Sequence, residues 1–267
     1  MPIWFYDLRP VYAAIIMVVM VETVSMIGLF IARRFLLPHF KYSDGINDAI
    51  SGTVQAIGVF YGVTVGLIAV AVWNTNSNAA DLVSQEASAV GGLYRDVYGF
   101  PPPLRDDLTA KLREYLDVVI NKEWPEQKRG KVPEDGSRIL NEFQFKFFTY
   151  EPATPGQVEL HAEALHTFNR LADCHRLRLN AVSGGLSGTM WGVIWVGAII
   201  SIGVAYLFKI EDARMHAVLI ALMGGFLAIV LFMISINDKP FYGAVSISTE
   251  PYQLLVDRLH TFSTGSK

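Results

Sequence analysis

The chain has one cysteine, Cys174, which excludes an intrachain disulfide framework and any cysteine-based zinc site. It is also short of charge: 18% of its 267 residues are charged and 52% are hydrophobic, where a soluble domain carries about 25% charge. The net charge of −3 supplies no basic face, so nucleic acid is not an expected partner. Catalytic signatures are missing too. No GxSxG, P-loop, HExxH or dinucleotide fingerprint occurs, which argues against an enzyme and gives no reason to expect a cofactor or a metal. No short apolar stretch ends at a small-residue cleavage site, so the first apolar run reads as a retained helix and not as a signal peptide.

What the chain does have is long apolar runs. Crossing about 30 Å of hydrocarbon takes roughly 20 helical residues, and four segments reach that length: residues 11–32, 51–73, 188–208 and 216–236. Of the 47 charged residues, 29 lie between Thr75 and Ser187, so the apolar runs flank a polar insert. The expected fold class is an all-α integral membrane protein of four transmembrane helices, with a helical insert between the second and third. The boundaries read as a hairpin over 1–74, the insert over 75–187, a second hairpin over 188–237 and a tail over 238–267. Trp73, Trp191, Trp195 and Tyr206 stand near span ends, where amphipathic rings favour the interface.

The insert shows helical periodicity. Leu82, Val83, Val90, Leu93, Tyr94 and Val97 form one apolar stripe, ended by Pro101, Pro102 and Pro103. Leu104, Leu108, Leu112, Leu116 and Val119 form a second. Phe143, Phe147 and Phe148 belong to a third helix, and Val158, Leu165, Phe168, Leu171 and Leu179 to a fourth. Gly130, Pro133 and Gly136 mark a loop over 128–136. Leu254, Leu255, Leu259 and Phe262 give the tail a short amphipathic helix.

Several residues carry a candidate function. Gly58, Gly62 and Gly66 make a doubled GxxxG in the second span, a pattern that lets helices approach closely in lipid. Two readings stay open: packing within one chain, or a crowded oligomer axis. Ser51, Thr53, Gln55 and Thr64 add polar groups, and a span with small and hydroxyl or amide residues is able to line a watery path. Glu22 is the sole carboxylate within a span. A charge there costs about 3 kcal/mol or more unless it is paired, protonated or hydrated. It reads equally as an ion ligand, a titrating group or a neutral acid in an interhelical hydrogen bond. His161 and His166 are five residues apart and fall on different helix faces, so with Cys174 and His175 they do not read as a metal site. Asp106, Asp107, Glu134 and Asp135 read as solvated charges at helix starts.

Taken in order, these features resemble the bestrophin channels, and more closely a bacterial bestrophin-like family. The resemblance covers nearly the whole chain. Phe60-Tyr61-Gly62-Val63-Thr64 looks like the bestrophin Gly-Phe-Tyr-Val-Thr stretch, and Trp73-Asn74 like the Trp-Asn after it. Glu22 with Arg33-Arg34 is similar to an acid and a later arginine of the bestrophin first helix. Glu86-Ala87, Leu93-Tyr94-Arg95 and Glu123-Trp124-Pro125 look like motifs of the bacterial family, and Asp238-Lys239-Pro240-Phe241-Tyr242-Gly243 like its exit motif. The resemblance implies a homo-oligomer, a pentamer in bestrophins, around an axial pore lined by the second span. Phe60 matches one position of the bestrophin hydrophobic neck; the positions one and two turns earlier fall at Ala56 and Gly52, which are small. The acidic run that holds Ca²⁺ in animal bestrophins is replaced here by Ala244, Val245 and Ser246, so no Ca²⁺ gating through this motif is expected.

Orientation draws two opposed signals. Arg33, Arg34 and Lys41 in the first short link, and Lys209 and Arg214 in the second, place both links in the cytoplasm by the positive-inside rule. The resemblance instead places the insert there, in a bacterial inner membrane, and that side is adopted. The expected function is passive ion conduction by an oligomer in the bilayer. The alternative is a non-conducting sensor or scaffold whose insert binds a partner. A proton-driven unit relying on Glu22 is a third reading.

Overall fold

The computed structural model describes residues 3–40 and 45–264; Lys41 and the side chain of Phe262 lie outside the described residues. The chain divides into two compact units: residues 1–75 with 185–238, and residues 76–184 with 239–267. Every regular element among the described residues is helical.

In the first unit a short turn, α1 (Ile3–Tyr6), precedes α2 (Pro10–Ile31). Pro10 opens α2 at a position where the missing N–H costs nothing. A π-helical turn, Ala32–Leu36, carries Arg33 and Arg34 out of the span. Next comes α3 (Ile46–Tyr98), 53 residues without a break. The span read over 51–73 and the stripe read from Leu82 are therefore one helix, about 80 Å long at 1.5 Å per residue. The stretch between them holds no proline or glycine to stop it.

The second unit contains the distal half of α3 and then α4 (Leu104–Val118), a π-helical turn at Val119–Glu123, α5 (Trp124–Lys128), α6 (Asp135–Phe148) and α7 (Pro155–Ser183). Thr154 caps α7 by accepting from the Gln157 N–H at 3.3 Å. The chain returns to the first unit with α8 (Gly188–Ala205), capped by Ser187, and α9 (Ala213–Asn237), capped by Asp212. It ends in the second unit with α10 (Glu250–Thr264).

Among the described residues four helices are long and apolar enough to cross a membrane: α2 with its extension, α3, α8 and α9. In α2 the buried positions Met17, Val21, Ser25 and Leu29 recur every fourth residue, the face of a packed helix. Much of the remaining apolar surface is open, with Phe30, Leu222 and Phe226 all more than two-thirds exposed. The second unit has a denser core built from Val83, Val90, Leu93, Leu112, Phe143, Phe147 and Leu171.

Candidate functional site

The span part of α3 touches its own unit along a narrow stripe. Ile50, Val65, Ile68, Ala69 and Val72 are buried, and Val54, Ile57 and Tyr61 are half-buried. Tyr61 donates from its hydroxyl to the Ile194 carbonyl at 3.0 Å. Its ring fills the space over Gly197, where an added Cβ would stand 2.4 Å from ring carbons.

The other faces of α3 are open. At about 100° per residue, Gly52, Ala56, Val59, Val63 and Val70 lie within roughly 40° of the point opposite the buried stripe. Val59, Val63 and Val70 are 59–64% exposed. Phe60 stands about 80° to one side of that outward face and Thr64 further round the same way. Gly62 and Gly58 fall to the other side, about 80° and 120° round. Phe60 is 75% exposed. A Cβ on Gly52, Gly58, Gly62 or Gly66 would meet no atom within 4 Å. The glycine row is thus not spent on packing within its own unit. The outward half of the span is chargeless; valine and small residues dominate its centre, with Gln55, Phe60, Leu67 and Trp73 toward its edges.

Glu22 lies in α2 against α9, half-buried. Gly224 and Gly225 give its carboxylate room, since a Cβ on either would stand 3.3 or 3.2 Å from Oε1. The partner surface is therefore glycine backbone. Beside it, the Tyr206 hydroxyl donates to the Ser25 carbonyl at 2.8 Å. At one end of the same unit, Arg33 donates to the carbonyls of Ile210 and Glu211 at 3.1 and 3.2 Å and lies 3.2 Å from His216 Nδ1.

The exit motif has structural partners. Asp238 accepts from the Leu186 N–H and, at 3.2 Å, from the Trp191 indole N–H. It therefore ties the end of α9 to the start of α8. In the second unit Phe241 is buried against Trp124, with ring centroids 5.7 Å apart. Pro240 accepts from the Ile247 N–H at 2.9 Å, and Gly243 adopts φ +65°, a left-handed conformation that favours glycine. Among the described residues no three His, Cys, Asp or Glu side chains converge as a metal site.

The second unit also holds a polar cluster that periodicity did not single out. Arg178 is fully buried and forks onto Glu86, with Nε to Oε2 at 2.7 Å and Nη2 to Oε1 at 3.1 Å. The same Nη2 reaches Glu123 Oε2 at 2.9 Å. Glu123 accepts from the Gly136 N–H at 2.8 Å, and the Tyr115 hydroxyl donates to Glu86. His175 Nδ1 lies 2.9 Å from the Tyr115 hydroxyl, and its Nε2 lies 2.9 Å from Ser137 Oγ. Trp124 faces the Arg178 guanidinium at 5.7 Å, contacts Tyr252 at 5.7 Å, and donates to the Ile247 carbonyl at 3.1 Å.

Charge explains the titration of this cluster. Burial works against an ionised Glu86, but the Arg178 charge and the hydrogen bonds from His175 and Arg178 outweigh it and hold the carboxyl well below its ordinary range. Burial, followed by the nearby Glu86 charge, pushes the Tyr115 and Tyr252 hydroxyls well up. A signal for the cluster does exist in the sequence. Glu86 sits in register with Val83, Val90 and Leu93, Glu123 with Leu116 and Val119, and Arg178 with Leu171 and Val182. Two acids and one base occupy core positions of three different stripes, and only their mutual pairing makes that tolerable.

Comparisons with known proteins agree with this architecture. A family model, the Bestrophin-like domain, matches residues 19–252. A crystal structure of a bacterial Bestrophin homolog from Klebsiella pneumoniae, carrying a point mutation, superposes with TM-score 0.66 at 10% identity, over 92% of this chain and 98% of that one. The zinc-phased structure of a homolog from the same organism gives 0.64 at 11% identity, over 91% and 97%. A further structure, described only as a membrane protein variant, gives 0.65 at 11% identity, over 90% and 93%. A search of curated proteins finds no match. At these identities the solved structures speak for the fold.

Proposed function

The chain belongs to the bestrophin-like family, and from that premise we propose that it conducts ions passively, as a homo-oligomer whose axial pore is lined by the span part of α3. The observation that carries this is the open outward face of α3: chargeless, valine-rich, and covered by nothing in its own unit. A lone span has no need of a turned-out small-residue face. A ring of such spans encloses one.

In a ring with the buried stripe outermost, Gly52, Ala56, Val59, Val63 and Val70 turn toward the axis. Rings of valine form an apolar constriction that opens and closes by wetting. Phe60 and Thr64 then flank the pore on one side of each helix, while Gly58 and Gly62 flank it on the other, which sets a bulky face beside a slim one between neighbours. Phe60 shapes the constriction from that flank. Five copies is the assembly adopted, and the insert is placed on the cytoplasmic side of a bacterial inner membrane. Conduction requires no catalytic group.

Purified protein in planar bilayers tests the reading. Stepwise ionic currents are expected. Thiol reagents should block Val59→Cys and Val63→Cys channels and leave Val54→Cys, on the inward-facing side of the helix, unaffected. Phe60→Ala should raise the conductance. Absent currents, or block confined to the inward-facing position, would overturn the assignment. An alkaline-phosphatase fusion at Gly130 tests the side: activity there puts the insert outside. An oligomer that carries no current would favour the sensor or scaffold reading.

A further inference from the structure

In the second unit a groove of about 460 Å³ runs between the distal part of α3 and α10. Ser84, Ser88 and Gly91 line it from α3, Leu255 from α10, and the exposed Arg95 and Arg258 add two guanidinium groups. The walls stand close, since a Cβ on Gly91 would lie 3.0 Å from Leu255 Cδ1. No ion pair among the described residues engages either arginine. The groove is thus narrow, with a small-residue wall on α3, a leucine wall on α10 and positive charge from the two arginines.

A matching ridge exists on α7. Val158, Glu159, Ala162 and Glu163 are all exposed and fall on one face, as two i, i+4 pairs. Neither glutamate has an ion pair among the described residues. This ridge cannot fill the groove of its own chain. Leu160 and Thr167 of α7 approach α3 at Gly99 and Gly92, and Arg178 further along α7 reaches Glu86 of α3. Val158 and Ala162 stand about 160° away from Leu160 round the helix.

We propose that the groove receives the Val158–Glu163 ridge of a second copy of the chain, with Glu159 and Glu163 pairing with Arg95 and Arg258. Valine and alanine fit a cleft with serine and glycine on its α3 wall and leucine on its α10 wall, the small residues leaving room and the leucines supplying apolar contact. The charges are opposite in sign and equal in number, which favours this partner and repels a basic one. Groove and ridge are different surfaces, so each copy offers one to each neighbour. Such head-to-tail contacts close into a ring when the rotation allows. The inference rests on the oligomeric reading above and adds the surface through which the inserts meet.

Disulfide trapping tests it in the full-length protein, whose one native thiol, Cys174, is buried. The double variant Ser88→Cys with Ala162→Cys, oxidised in detergent, should give a ladder of cross-linked copies that neither single variant gives. Adding Arg95→Glu with Arg258→Glu should lower the yield by about tenfold or more, the scale of one lost charge contact. Adding Glu159→Arg with Glu163→Arg to that reversed background should restore it. Native mass of the same samples separates the failures. An oligomer with no double-variant ladder, or a ladder indifferent to charge reversal, overturns the inference and leaves the channel reading intact. Loss of the ladder because an acidic peptide or a free anion holds the groove is the same negative result. A monomer overturns both.

Discussion

Arg178→Met is the perturbation that probes the second unit most directly. Methionine keeps the length and the apolar stem of arginine and removes the fork. Glu86 and Glu123 would then sit side by side, both fully buried, with no cation between them. Breaking a buried pair by removing one partner costs about 3–5 kcal/mol, because the other charge is left in low dielectric. Here two carboxylates lose one partner, so the upper end of that range applies. Whole domains are stable by only about 5–15 kcal/mol, so the variant stands near the edge of folding. The assay is guanidinium unfolding of detergent-solubilised protein followed by tryptophan fluorescence, to which Trp124, against the Arg178 guanidinium, contributes. Adding Glu86→Leu and Glu123→Leu to Arg178→Met supplies the control. With every charge of the trio gone, much of the loss should return, since an apolar replacement of a buried ion cluster is often neutral or better. A loss below about 1 kcal/mol for Arg178→Met alone, a value typical of exposed pairs, would refute the view that this trio holds the unit together.

Acid should act on the same trio. Because the folded Glu86 carboxyl is held down at about 2 against an ordinary 4.5, its contribution is complete above the ordinary carboxylate range and drains as the pH falls below it; melting scans should show an acid limb that Glu86→Gln flattens. Gly136→Ala should destabilise by about 1–3 kcal/mol, since the new Cβ would stand 2.7 Å from Glu123 Oε1 and 3.0 Å from His175 Cε1; an unchanged unfolding midpoint would count against that crowding. Gly197→Ala should lower thermal stability in detergent by a similar step, about 1–3 kcal/mol, by driving into the Tyr61 ring. The same substitution at Gly62, where nothing lies within 4 Å, should stabilise a detergent-isolated single chain by up to about 1 kcal/mol through helix propensity.

Much of the fold was legible because lipid permits so few solutions. A segment of twenty apolar residues with at most one charge has no soluble alternative, and four of them around a charged insert specify the class. The continuity of α3 was not legible. The boundary at residue 74 follows the change from apolar to polar composition, yet nothing around Asn74, Asn76, Ser77 and Asn78 breaks a helix and both flanks are helical. Glu22, Phe60 and the glycine row stand out by type and spacing. Which of them face the rest of the chain depends on tertiary contacts, so the opposed flanks of α3 emerge only from burial. The Glu86–Glu123–Arg178 trio escaped for a related reason. Each member falls on an apolar stripe without a visible partner in its own helix, and only the three together, brought from residues 86, 123 and 178, explain one another.

Asp238 stands 52 residues after the Leu186 N–H that it accepts. The entrance to α8 therefore cannot be completed until the ribosome has finished α9. Until residue 238 has been made, that backbone donor lacks the carboxylate that closes it. The two spans are thus joined as a pair only once both have been made, and a chain cut short before residue 238 would leave the latch open.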